Sequence, residues 1–125
     1  MRVLASNKFT PCSKRPNCVN SMTKSNERKH YIAPLIISNK KTKVFEVVKN
    51  ILSNWNGIQL VEEHGEYLHY EVKSKWFGFT DDLEIFWAKD VGLLHFKSAS
   101  RLGYYDLGVN RKRVENLKKE LLKIL

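Results

Sequence analysis

The residues best suited to chemistry are concentrated between Ser98 and Arg113: Ser98-Ala99-Ser100-Arg101-Leu102-Gly103-Tyr104-Tyr105-Asp106-Leu107-Gly108-Val109-Asn110-Arg111-Lys112-Arg113. These sixteen residues hold three arginines, two serines, an aspartate and an asparagine. The pattern reads as a strand end, a polar turn and the start of a helix. Guanidinium forks suit carboxylates and phosphates, and a helix start adds free N–H groups and a favourable dipole. One reading is therefore an anion site. Arg101, Arg111 and Arg113 would supply the charge, and Ser98, Ser100, Tyr104 and Asn110 further hydrogen bonds.

The other reading of the same stretch is structural. Asp81 and Asp82 begin a strand that returns through the turn Lys89-Asp90-Val91-Gly92. In an antiparallel hairpin, the start of one strand lies beside the end of the next. One of the two aspartates should then pair with a semi-buried Arg101, while Asp106 caps the last helix. If that pair is buried, replacing Arg101 by Met should cost about 2–4 kcal/mol.

Acid–base chemistry needs a positioned titratable pair. The candidates are Asp81 and Asp82 with His30, His64, His69 and His95. His64 falls in a turn, and His69 and His95 read as exposed sheet residues. No nucleophile elbow, P-loop, dinucleotide glycine motif or metal-binding helix is present, so no cofactor or metal is implied.

Five residues separate Cys12 and Cys18, with Pro11 and Pro16 nearby. The spacing does not fit a C-x-x-C redox motif or a standard zinc knuckle. It suits a small disulfide loop, with two free thiols as the alternative. In either state the cysteines should lie within bonding reach, at Cα atoms no more than about 7 Å apart. A bonded pair implies an oxidising compartment such as an envelope or organelle lumen; reduced thiols imply the cytoplasm.

The elements that position these residues follow from apolar periodicity. Residues 1–30 read as an irregular basic arm, with residues 1–10 poorly packed and dispensable. Tyr31 to Ser38 reads as a strand that Pro34 pushes to an edge. A helix capped by Asn39 or Thr42 runs to about Asn54 with Val44, Val48, Ile51 and Leu52 on one stripe. Four strands follow: Ile58 to Glu63, Tyr67 to Ser74, Thr80 to Ala88 and Leu93 to Ser100. His64-Gly65-Glu66 joins the first two. On the third, Leu83, Ile85 and Trp87 share one face and Asp82, Glu84 and Phe86 the other. The last helix starts between Asp106 and Val109, with Val114, Leu117, Leu121 and Ile124 as its buried stripe. The expected fold is α+β: an antiparallel sheet of about five strands, two helices on one face, in the order β-α-β-β-β-β-α. The 125 residues are read as one domain, an arm over 1–30 and a core over 31–125.

Composition is that of a globular protein, 42% hydrophobic and 28% charged, and no segment reaches the length of a membrane span. The net charge of +9 is unevenly placed. Residues 1–43 carry a net +9, residues 44–96 a net −5 and residues 97–125 a net +5. Such asymmetry suits a solvated surface, or attraction to nucleic acid or an anionic membrane.

Several motifs together resemble one family. They are Pro11-Cys12, Pro16-Asn17-Cys18-Val19, Asp81-Asp82, and the run Ser98-x-Ser100-Arg101-x-Gly103-Tyr104-x-Asp106-Leu107-Gly108-x-Asn110-Arg111-x-Arg113. The chain is similar over nearly its whole length to the bacterial and plastid proteins of domain of unknown function family 1499. The resemblance implies no particular activity, cofactor or substrate. It implies small polar residues between the cysteines, where this chain has Ser13 followed by Lys14 and Arg15.

Three functional readings follow. The first is a noncatalytic binding or accessory domain holding a small anionic or amphipathic ligand between sheet and helices. The second is a nucleic-acid binder using the basic arm, the last helix and the aromatics Trp76, Phe77 and Phe79. The third is an enzyme in which Asp81, Asp82 and Arg101 converge on one pocket.

Overall fold

Strand alternation and two apolar helix stripes build one sheet with helices on one face. The computed structural model describes residues 9–39, 42–74 and 78–125. Trp76 and Phe77 and residues 1–8 of the arm lie outside the described residues.

Eight elements follow in order: β1 (Cys18–Asn20), β2 (Leu35–Ile36), α1 (Val44–Leu52), β3 (Ile58–His64), β4 (Tyr67–Lys73), β5 (Thr80–Ala88), β6 (Leu93–Ser100) and α2 (Val109–Leu122). The sheet has six strands in the order β1-β6-β5-β4-β3, and β2 also pairs with β6. The named strand pairs are antiparallel. The order from β2 onward is the expected β-α-β-β-β-β-α, and the fold is α+β.

The arm differs from its irregular expectation. Cys18, Val19 and Asn20 pair with Ala99, Ser98 and Lys97 and add an edge strand to β6. Three residues next to Pro16 are too few to show alternation, so the strand leaves no periodic signal. Phe9, expected among poorly packed residues, is 3% exposed. The strand expected from Tyr31 to Ser38 shrinks to two residues. Pro34 lacks the N–H a longer ladder would need.

In α1 the buried residues are Val44, Val48, Ile51 and Leu52, the expected stripe. Its N-cap is Lys43, without a side-chain cap bond, rather than Asn39 or Thr42, and it ends at Leu52, two residues before Asn54. Gly57 then turns the chain into β3 at φ +72°, and a Cβ there would lie 2.7 Å from the Lys73 carbonyl oxygen. Only glycine fits both the left-handed backbone and that approach.

α2 buries Val114, Leu117 and Leu121. Ile124 falls beyond its end and is 59% exposed, so the stripe is one residue shorter than expected. Both helices pack with Leu83, Ile85, Trp87, Leu94 and Phe96 in the main core cluster. Trp55 ties the helices together, its indole N–H donating to Glu120 at 2.9 Å.

The β5–β6 register sets Asp81 opposite Ser100 and Asp82 opposite Ala99. The chemistry-bearing motif therefore meets the two aspartates at one end of the sheet.

Candidate functional site

Alternation along β5 sends neighbouring aspartates to opposite faces. Asp81 lies on the helix side and Asp82 on the other. Each takes an arginine from the motif. Arg113, on the first turns of α2, reaches Asp81 at 2.9 Å. Arg101, just past β6, donates to both oxygens of Asp82 at 2.9 Å and to Glu71 at 2.6 Å.

On the helix side the hub is Asn110, which is fully buried. Its amide donates to the Asn17 carbonyl at 3.2 Å, to Ser100 at 3.0 Å and to Asp106 at 2.8 Å. Its side-chain oxygen accepts from Ser98 at 2.6 Å and from Arg113 at 2.7 Å. Asp106 accepts the backbone N–H groups of Gly108 at 2.9 Å and Asn110 at 3.1 Å, which satisfies donors at the start of α2. The Asn17 side chain donates to the Gly103 carbonyl at 2.8 Å and ties the arm to the loop after β6. Asn17 precedes Cys18, which is bonded to Cys12 with Cα atoms 5.7 Å apart.

Beside this web lies a cavity of about 430 Å³. Asp81, Ser100, Arg113 and Asn17 give its lining polar groups, and Val72, Phe79, Leu102, Leu107 and Val109 give it apolar ones. Lys73 and Asp106 also reach it, so two carboxylates and two cations border the space. Leu107 has φ 57°, a left-handed conformation that disfavours a branched side chain and costs about 1–2 kcal/mol. Strain of this kind concentrates at binding and switch sites.

The other face carries a ladder of charged groups. His69 donates to Asp82 at 2.6 Å and is 5% exposed, not the exposed sheet residue expected. Cross-strand pairing explains the difference: Glu62 on β3 and Asp82 on β5 reach the imidazole from either side, and Arg101 pairs with Asp82 in turn. Glu84 is buried as well, accepting from the Tyr67 hydroxyl at 2.8 Å with Lys97 at 3.8 Å. Burial opposes ionisation of Asp82, but hydrogen bonds from His69 and Arg101 outweigh it and hold its carboxyl well below the usual range. Its hydrogen bonds to Asp82 and then Glu71 push the Arg101 guanidinium up. Arg101 is more exposed than expected, with 41% of its side chain in solvent. His95 is half-buried, and burial pushes its pKa down. Its Nδ1 lies 2.7 Å from Ser21 Oγ, which accepts the Phe96 N–H at 2.9 Å.

The motif arginines do not surround one point. Arg111 donates to the carbonyls of Arg28 and Lys29, Arg113 serves the helix-side web, and Arg101 serves the opposite face. Tyr104 is exposed and does not line the cavity. Asp81 lines the cavity; Asp82 and Arg101 do not, so the three do not converge on one pocket. Among the described residues no cluster of His, Cys, Asp and Glu has the geometry of a metal site, and no helix is long and apolar enough to cross a membrane.

Residues 8–121 match the family model described as a protein of unknown function, DUF1499. The chain belongs to the DUF1499 family. No curated protein and no solved structure matches it significantly. The motif residues by which the sequence resembles DUF1499 proteins are largely those that meet at this sheet end. Asn17, Asp81, Ser98, Ser100, Gly103, Asp106, Asn110 and Arg113 join the helix-side web, and Asp82 and Arg101 pair behind it. Sequence reasoning missed Asn17, His69 and the apolar lining. Asn17 is the most legible of these, since it lies inside the Pro16-Asn17-Cys18-Val19 motif.

Proposed function

We propose that this chain is a noncatalytic binding domain whose cavity at the motif end holds a small amphipathic ligand. The observation that carries the reading is the lining of that cavity. Its lining combines hydrogen-bonding groups of Asp81, Ser100 and Arg113 with apolar side chains of Phe79, Leu102, Leu107 and Val109. A volume of about 430 Å³ falls within the usual span of ligand pockets.

Charge refines the ligand class. Arg113 already faces Asp81 at 2.9 Å, and Lys73 and Asp106 balance one another at the lining. A dianionic head would have to displace a carboxylate, which is unfavourable in a partly desolvated site. The ligand is therefore an apolar body with an uncharged or zwitterionic head. The bonded cysteines favour an oxidising compartment for it.

The test is thermal melting with short-chain alkyl glucoside and alkyl phosphocholine, each below its micelle-forming concentration, and with inorganic sulfate or phosphate. The first two should raise the melting temperature and inorganic sulfate should not. Val109→Trp should fill the cavity and remove the response. A shift with inorganic sulfate or phosphate alone would instead favour an anion site.

A further inference from the structure

The loop between β6 and α2 exposes apolar side chains that the fold leaves unburied. Leu102, Tyr104, Tyr105, Leu107 and Val109 are all exposed, Leu107 at 75% and Tyr104 at 68%. Five of eight consecutive residues thus present apolar surface, a concentration that marks an interaction site rather than scattered surface hydrophobes. Leu107 also holds its left-handed backbone while exposed, a conformation glycine would adopt freely.

Positive charge lies beside this crown. The Asn17 bond to Gly103 holds the Cys12–Cys18 loop against it, and that loop carries exposed Lys14 and Arg15. Lys112 is exposed one helical turn after Val109, on the same side of α2. Arg111 holds the carbonyls of Arg28 and Lys29 near the first turn of α2, and the latter two residues are also exposed. Among the described residues none of Lys14, Arg15, Arg28, Lys29 or Lys112 enters an ion pair.

We propose that this crown docks on a bilayer surface that contains anionic phospholipid. Exposed leucines insert among acyl chains while tyrosines lie at the headgroup level, apolar ring inward and hydroxyl outward. Flanking lysines and arginines meet the negative surface without entering the hydrocarbon. The apolar side chains stand on a loop at the cavity's own lining, so docking places the cavity beside a supply of amphiphiles. Docking goes beyond the cavity reading, because an empty cavity would not prevent it.

Sedimentation with vesicles tests the proposal. One set contains phosphatidylcholine with phosphatidylglycerol, the other phosphatidylcholine alone. The protein should sediment with the mixed vesicles, poorly with the neutral ones, and less as salt rises. Tyr104 lies outside the cavity lining, so Tyr104→Ser should weaken vesicle binding at least roughly five-fold while leaving melting and the response to alkyl phosphocholine unchanged. The double variant Lys14→Gln and Arg15→Gln should lose roughly five-fold per residue on mixed vesicles only. No sedimentation with either vesicle would overturn the proposal, as would binding indifferent to Tyr104→Ser. A concentration-dependent dimer that Tyr104→Ser abolishes, with no vesicle binding, would assign the crown to a second copy instead. Loss of the alkyl phosphocholine response with vesicle binding intact would remove the cavity reading and leave docking standing.

Discussion

Asp81 and Asp82 are neighbours in sequence, yet they sit in different kinds of environment. Asp81 faces α2, meets Arg113, and borders a cavity with an apolar wall. Asp82 faces the other way and meets His69 and Arg101 in a ladder of charged side chains. The first arrangement is enclosed, with the Asp81 and Arg113 side chains 14% and 11% exposed. The second is closed at His69 but open to solvent at Arg101. The same pair of residue types therefore does two jobs. An enclosed pair fixes a helix over a cavity; a half-open pair fixes strand ends. The difference lies in what else surrounds each carboxylate.

That contrast sets the order of mutational effects. Arg113→Met should be the most damaging, destabilising by about 3–4 kcal/mol, because Asp81 would be left enclosed without its partner. Chemical denaturation checks it, and a loss equal to that of Arg101→Met would erase the distinction between the faces. Asn110→Ala should follow at about 3 kcal/mol. Several groups would lose the partner that the fully buried Asn110 side chain gives them. Arg101→Met should cost only about 1–2 kcal/mol. Its exposure screens the pair, and Asp82 keeps the His69 bond. This is less than a fully buried Arg101 would have implied.

The smallest effects are those of pH. Asp82 stays ionised in the native state below its ordinary pKa of 3.8, so the unfolded chain takes up the proton first as pH falls. Its contribution is present near neutrality and is lost progressively below about pH 5. Arg101→Met should flatten that acid limb. His95 resists protonation in the native state relative to its ordinary 6.5, so its contribution is also lost on acidification, beginning nearer pH 6.5. His95→Gln should remove the upper step and leave the lower one. Stability curves against pH, measured by urea titration, separate the two.

The long periodic elements were legible because burial imposes its period on the residues. The stripe Val44, Val48, Ile51 and Leu52 and the alternation from Thr80 to Ala88 both match the fold. Register followed from the turn at Lys89 to Gly92, and with it the approach of Asp82 to Arg101. β1 and the burial of Phe9 were not legible, because their partners are distant in sequence and the arm shows no alternation. The ladder around His69 was hidden for a related reason. Polar residues on a strand face read as solvent-exposed unless their cross-strand partners are known. The divergence of the arginines is a matter of helix geometry. Arg111 and Arg113 are two residues apart on α2 and point to different sides of it.

The central claim is that the enclosed side of the motif, not the open ladder, receives a ligand. Amide chemical shifts during titration with an alkyl phosphocholine below its micelle concentration test it directly. Saturable shifts should centre on Ser100, Gly103, Leu107 and Val109, while Glu71, His69 and Glu84 stay still. Shifts centred on Arg101 and Glu71, or no saturable shift anywhere, would contradict it.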